Sequence, residues 1–431
     1  MTTRFSDPLA APAASQAARN KALLSATPYA GPRFDSNVLP LTLSLASGEL
    51  PADAEVALAA LEKDAARIAI ESLASLAKVN DIDHLGGGLE LIPALLMTLA
   101  VTDYERTHYT IEHGHTSIGY YAALSALGFL DRARVIDGFR RGLDIAGHVS
   151  WVPGGTELSS GRLGVMFPVA TGLSLGLKAH HGDAAHVFCH TGDAGWISGQ
   201  ALNGLNAAAV HRAPVTFVMH RNGIQLSGTT RHIMNQDVRS IVASFGVKIL
   251  EIRSLHDRKQ LFAAYREAFQ MGQQGHPVLI YPTGWGATER DTAVTVADFG
   301  KQHGIEEETK KFAVDHGVPV DRPIWIPGSL MSFRDSKAML QCLFYVNDLP
   351  GGEAHHDGGM KGRDPQAVLA NPMLQFTPDE SARLEALRKA APRKVVTAAR
   401  PAKGTPNLTL TDADIKDVVL PGPDKPVSPR A

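Results

Sequence analysis

The residues best suited to chemistry are His190-Thr191-Gly192-Asp193-Ala194-Gly195 and, 29 positions beyond Asp193 (222 − 193), Asn222 in Arg221-Asn222-Gly223-Ile224. The first string leaves an apolar run and enters a helical pattern, and the second ends the next apolar run. One βαβ unit then places Asp193 and Asn222 at the same edge of a sheet, on adjacent strands. A diphosphate needs backbone N–H donors and a helix N-terminus, which glycines let it approach closely. A hard divalent cation needs oxygen ligands in near-octahedral geometry: Asp193 offers a carboxylate, Asn222 an amide oxygen and Ile224 a backbone carbonyl, leaving about three positions for phosphate oxygens and water. Taken singly, Gly-Asp is a turn and Asn-Gly a hairpin corner. Their spacing and matching strand ends favour the metal–diphosphate reading. No G-x-G-x-x-G follows a first strand with an acid on the next, which excludes a dinucleotide-binding reading.

Positioning these groups requires an α/β frame. Apolar strand-like runs lie at 185–190, 214–220 and 277–281, with a weaker one at 247–252, and helical patterns fall between them at about 200–211, 236–245 and 256–273. That alternation predicts a parallel sheet flanked by helices on both faces. Upstream, Pro51 and Asp53 open a helix on which Leu58, Leu61, Ala65, Ile68, Leu73 and Leu76 form a stripe, with Glu62, Lys63, Arg67 and Glu71 off it. Residues 89–100 read as a buried helix, 117–127 as a helix, and 161–178 as an apolar helix whose glycines predict close approach of another backbone.

Composition bounds the partners. The 431 residues are 44% hydrophobic and 20% charged with net charge −2, a globular balance that implies neither nucleic acid nor a membrane surface. Cys189 and Cys342 are the only cysteines, so no disulfide scaffold exists and a reducing cytoplasm suits the chain. The N-terminus lacks a secretory pattern, and the longest apolar stretch, 91–101, is too short to span a bilayer. The expected organisation is an arm over 1–50, a cofactor-binding domain over 51–330, and an extension and tail over 331–431 that contacts a partner. His355, His356 and Asp357 sit among glycines and read as a loop rather than a metal site.

Gly192-Asp193-Ala194 followed by Asn222 resembles the thiamine diphosphate motif, and the string GDAGWISGQALNGLNAAAVHRAPVTFVMHRNGIQLSG resembles its transketolase version. The segments EHGHTSIGYYAALSALGF, GHVSWVPGGTELSSGRLG and GKQHGIEEETKKFAVDHGVPVDRPIWIP extend the resemblance over about 55–330. It implies the thiamine diphosphate-binding fold, with thiamine diphosphate and Mg²⁺ (or Ca²⁺ or Mn²⁺) as cofactors. It also implies active-site histidines at His115 (after Gly114), His148 and His303, with His84 a looser match, and Gly161 and Leu163 supporting the aminopyrimidine ring. Ala194 departs from the family's second glycine, Arg162 from a proline, and Ser198 and Asn203 from glutamates at the dimer interface. The family's pyrimidine-binding and C-terminal domains are expected to be absent here. The resemblance thus implies a split enzyme, completed in an α2β2 assembly by a second subunit that brings those domains and the cofactor-activating glutamate. Its substrates would be small ketoses and aldoses or their phosphates, exchanging a two-carbon ketol unit. A 2-oxoacid dehydrogenase component of the pyruvate dehydrogenase type, faintly favoured by DHLGGG, and a non-catalytic cofactor-binding scaffold stand as alternatives.

Overall fold

The computed structural model describes residues 38–39, 41–46, 48–79, 87–103, 106–141, 145–149, 162–225, 228–230, 233–283, 294–324, 336–353, 364–389 and 393–394. His84, Gly161 and the 355–357 string fall outside them.

The first helix, α1 (Ala52–Leu76), starts after Pro51 with Asp53 and Glu55 in its first turn, where carboxylates complement the helix dipole. All six residues of the predicted stripe are buried. The opposite face is not left to solvent: Glu62 is 9% exposed and forms a two-point ion pair with Arg258 (3.1 and 3.2 Å). α2 (Gly88–Val101) is buried along its whole length. It packs with α1 and with α3 (Ser117–Ala126) into one large apolar cluster.

Between α2 and α3 runs a strand that the apolar pattern does not announce, β1 (Thr107–Ile111). Downstream come α4 (Met166–His181), β2 (His186–Thr191), α5 (Gly199–Val210), β3 (Val215–Met219), α6 (Val238–Ser244), β4 (Lys248–Ile252), α7 (Arg258–Gln273) and β5 (Val278–Pro282). The five strands form one all-parallel sheet in the order β1-β2-β3-β5-β4. The alternation along the strands separates two cores. Phe188, Val218, Ile252 and Ile280 face the cluster of α1, α2, α3 and α7, while Val187, Cys189, Phe217 and Leu279 face a second cluster under α4, α5 and α6. The α/β frame predicted from the alternation is therefore present.

Two expectations need correction. The apolar helix begins at Met166, after a turn at 163–165, rather than at 161. Close approach is made at Gly164, where a Cβ would lie 3.2 Å from the Gly195 carbonyl oxygen, and by Gly204 of α5 against the Phe167–Pro168 backbone, but not at Gly172 or Gly176, where a Cβ meets nothing within 4 Å among the described residues. Beyond the sheet, α8 (Val296–His303), α9 (Glu306–Asp315) and α10 (Ser336–Val346) share a third apolar cluster.

The last described helix, α11 (Pro378–Lys389), lies along α1. Ion pairs Lys63–Glu380 (2.6 Å), Arg383–Asp53 (2.7 Å) and Arg388–Asp64 (2.8 Å) fix it there, and Leu384 and Leu387 enter the main core. Part of the 331–431 segment is thus built into the α/β body. Among the described residues no helix is long and apolar enough to cross a membrane.

Candidate active site

The chemistry-bearing residues collect where the parallel strands end. β1 runs into Glu112, His113, Gly114 and His115; β2 runs into Gly192 and Asp193; β3 runs into His220, Arg221 and Asn222. The pairing continues one step past the strands. Glu112 N–H donates to the His190 carbonyl (2.8 Å) and His220 N–H to the Thr191 carbonyl (2.7 Å), so the three turns share one level.

Asp193 is 5% exposed. Its Oδ2 accepts from the Gly223 N–H (2.7 Å) and the Thr230 hydroxyl (2.8 Å), while its Oδ1, equally buried, has no hydrogen-bond partner. Burial pushes its carboxyl up to about 6, against the pull of those two donors. Gly223 follows Asn222, so the Asp193–Gly223 bond ties the β2 turn to the β3 turn. Ile224 begins a two-residue strand paired with Gly228–Thr229, and that pairing places its backbone beside the same turn. Among the described residues no three His, Cys, Asp or Glu side chains converge as a metal-binding group. A cation here would rely on one carboxylate, amide and carbonyl oxygens, and its phosphate ligand.

Glycines bring the loops together. A Cβ at Gly87 would lie 3.9 Å from both Asn222 Nδ2 and His115 Nε2, so the start of α2, the β1 turn and the β3 turn meet at one point. Gly192 packs against the His113 ring, and its carbonyl accepts from Trp196 Nε1 (2.9 Å). Gly195 lies close under Glu112, since a Cβ there would fall 2.6 Å from Glu112 Oε1 and force the carboxyl to shift. Ala194 is half-buried, and after Gly195 the chain turns into α5, which Ser198 caps by accepting from Ala201 N–H (3.1 Å). Gly164, at φ +88°, lies against Ser198, and Leu163 before it is exposed.

His115 is exposed at the turn. His148, also exposed, is held beside that turn from both sides: Val149 N–H donates to the Gly114 carbonyl (2.9 Å) and the Ser117 hydroxyl to the Gly147 carbonyl (2.8 Å). Burial and the nearby Arg140 charge lower the His148 imidazole below its ordinary range. His303 behaves differently. It is buried beside the third cluster, tilted against the Phe299 ring, with Nδ1 3.0 Å from Asn371 Nδ2, and burial lowers it to about 4. Its described contacts tie it to the C-terminal segment and not to the turns of the sheet edge.

Four further groups were missed. Glu112 is fully buried, with its carboxyl raised to about 7 by burial. His113 is 2% exposed, stacked on His220 (5.0 Å) and edge-on to His115 (5.9 Å), and neither ring nitrogen has a hydrogen-bond partner. Behind it His190 and His220 join a buried row. The Tyr265 hydroxyl bonds to the Ala94 carbonyl (3.0 Å), Thr98 to Tyr265 (2.8 Å), Thr98 to His190 Nε2 (3.0 Å), His190 Nδ1 to His220 Nε2 (2.8 Å), and His220 Nδ1 to the Glu90 carbonyl (2.9 Å). Burial first, and mutual repulsion second, hold His113 and His190 well below the ordinary imidazole range, and burial holds His220 at about 4. The string Glu112-His113 ahead of Gly114-His115, and histidines closing two strand runs, were the available signals.

Residues 144–281 match the family described as thiamine pyrophosphate enzyme, C-terminal TPP binding domain. The match takes in His148, Gly192-Asp193 and Asn222, and leaves out His115 and His303. Ferredoxin fas2 of Rhodococcoides fascians is 34% identical over 94 residues, 21% of this chain and 30% of that protein. Similar solved structures include a transketolase from Pichia stipitis (TM-score 0.48, 18% identity, 77% of this chain and 44% of that one). Transketolases from Leishmania mexicana (0.46, 18%, 76% and 44%) and Campylobacter jejuni (0.45, 22%, 52% and 37%) are also similar. The chain spans less than half the length of each of these relatives.

Proposed function

We propose that the chain is the diphosphate- and Mg²⁺-binding subunit of a transketolase-like transferase that moves a two-carbon ketol unit between sugars or sugar phosphates. The observation that carries this reading is the buried, partnerless Oδ1 of Asp193 at the same sheet edge as Asn222. A buried carboxylate oxygen without a donor is costly in the absence of a ligand, and a divalent cation satisfies it. The donor set fits the group: Asp193, the Asn222 amide and the Ile224 carbonyl would hold Mg²⁺, and the backbone N–H groups of the glycine-bearing turn 192–195 would meet a diphosphate. Thiamine diphosphate, when bound, supplies the electron sink for breaking and forming a carbon–carbon bond next to a carbonyl.

The chain's own residues do the remaining work. His115 and His148 are exposed on two turns joined through Gly114, Gly147 and Val149, where imidazole nitrogens can hydrogen-bond sugar hydroxyls. His148, its imidazole lowered by partial burial and the Arg140 charge, can accept a hydroxyl proton. Exposed Leu163 and Ile197 (42% and 43%) flank the turn and offer an apolar seat for the coenzyme ring and for a second subunit carrying the pyrimidine-binding and C-terminal domains in an α2β2 assembly. Two buried free cysteines are in keeping with a cytoplasmic location.

The test is calorimetric titration of the full chain with thiamine diphosphate, with and without Mg²⁺, followed by assay of the chain with its candidate partner on ketose donors and on 2-oxoacids. Mg²⁺-dependent binding with ketol transfer is expected. Absence of Mg²⁺-dependent binding, or turnover of 2-oxoacids alone, overturns the proposal.

A further inference from the structure

Glu112 is the most conspicuous group that the proposed chemistry leaves unused. It stands one residue past β1, with its backbone locked to β2 through the His190 carbonyl. Its side chain is fully buried and lies in the seam between two turns of different origin. From one side, the Gly164 N–H donates to Oε1. From the other, the Gly192 backbone N–H also favours its charged form, and the α-carbon of Gly195 lies so close that a Cβ would come within 2.6 Å of Oε1. Oε2 has no hydrogen-bond partner, and among the described residues no Lys or Arg pairs with the carboxylate.

A carboxyl removed from water and unpaired with a cation is costly to bury, so a lone glutamate here needs a purpose that an apolar side chain could not serve. What it supplies is acceptor capacity. Turn 162–165 has its Gly164 N–H aimed inward, and Gly164 is held at positive φ and pressed against Ser198. Oε1 accepts that N–H while the same carboxyl meets the Gly192 N–H and packs on Gly195, so it joins the two turns. The two turns are the two ends of a cofactor seat: 192–195 faces the diphosphate, and 162–165 carries Leu163 at the ring end.

We propose that Glu112 is a positioning residue, whose buried carboxylate pins the ring-side turn 162–165 to the diphosphate turn 192–195 and so sets the spacing between the two ends of the bound coenzyme. This rests on the thiamine diphosphate reading above. A clamp of this kind matters more to a ligand that touches both turns than to one that touches a single turn.

The experiment compares two probes, thiamine diphosphate and inorganic pyrophosphate, each with Mg²⁺, by calorimetric titration of the full chain as wild type, Glu112→Ala and Glu112→Gln, with thermal unfolding followed in parallel. Glu112→Ala is expected to weaken thiamine diphosphate at least tenfold and pyrophosphate less than threefold. Glu112→Gln, which keeps an acceptor oxygen for the Gly164 N–H, should restore thiamine diphosphate affinity to within about threefold of wild type. Equal losses for both probes in Glu112→Ala, or no loss for either, overturn the clamp. So does a Glu112→Gln protein that melts like wild type yet binds thiamine diphosphate as weakly as Glu112→Ala. A wild-type chain that binds neither probe is a separate result, and overturns the functional reading instead.

Discussion

Replacing Asp193 by asparagine separates the cost of the site from its use. Burial lifts the Asp193 carboxyl from 3.8 to about 6. That difference of roughly 2 units, at about 1.4 kcal/mol each, means that keeping the group ionised at pH 8 costs the metal-free fold about 3 kcal/mol. The sign comes from proton binding. The folded state holds the proton more tightly than the unfolded state, so the penalty is absent below pH 3.8 and complete above about 6. Asparagine retains an oxygen for the Gly223 N–H and the Thr230 hydroxyl, but puts an NH₂ where Oδ1 had no partner, at a cost of about 1–3 kcal/mol. Asp193→Asn in the presence of chelator should therefore equal wild type at pH 8 or exceed it by up to about 2 kcal/mol, and the advantage should shrink toward pH 4. Mg²⁺-dependent binding of thiamine diphosphate should be lost. Urea unfolding at pH 8, 6 and 4.5, with calorimetric titration at pH 8, reads both effects. A variant less stable than wild type by more than about 2 kcal/mol at pH 8, a pH-independent difference, or retained Mg²⁺-dependent binding would refute the reasoning.

Other substitutions probe the surrounding frame. Gly195→Ala drives a Cβ to 2.6 Å from Glu112 Oε1 and should cost about 1–3 kcal/mol, most of it recovered in a Glu112→Ala background; additive urea midpoints would contradict this. Tyr265→Phe leaves the Thr98 hydroxyl without that partner in a sealed row and should cost about 1–2 kcal/mol without changing Mg²⁺ binding, as thermal unfolding and titration would show. Ending the chain at residue 377 removes Leu384 and Leu387 from the core and the Arg388–Asp64 pair, and should destabilise the protein by about 3–6 kcal/mol. An unchanged unfolding midpoint would mean that α11 is dispensable.

The sequence exposed the features that are local and periodic. The Asp193 turn, the Asn222 turn and their adjacency come from one βαβ unit, because strand ends and helix starts leave apolar and glycine signatures within some thirty residues. β1 escaped because Thr-His-Tyr-Thr-Ile is short and mixes polar with apolar residues, although it lies at the edge of the sheet with Tyr109 and Ile111 fully buried. Without that strand Glu112 and His113 look like ordinary polar residues, and only β1 sets them behind the 192–195 turn. The partners of His190 and His220 lie far away in the chain, on α2 and α7, a relation that no spacing rule encodes. His303 shows the converse. Its match to a family segment could not reveal that Asn371, 68 positions on, takes its ring nitrogen.

The row from Ala94 to Glu90 has a consequence in proton arithmetic. Both ends are carbonyl oxygens, which only accept, so Tyr265 must donate outward at one end and His220 Nδ1 at the other. Thr98 and His190 stand between them, and the row contains five contacts. Two hydroxyls and two neutral imidazoles hold one mobile hydrogen each, four in all, and burial keeps the imidazoles neutral. One contact must therefore lack its hydrogen. With His190 protonated at Nδ1, that vacancy can pass between the Tyr265–Thr98 and Thr98–His190 contacts by rotation of the Thr98 hydroxyl, with no heavy atom moving. Each passage turns the Thr98 hydroxyl dipole from one neighbour to the other, so the buried row behind the 192–195 turn has a polarity that can switch while its shape stays fixed.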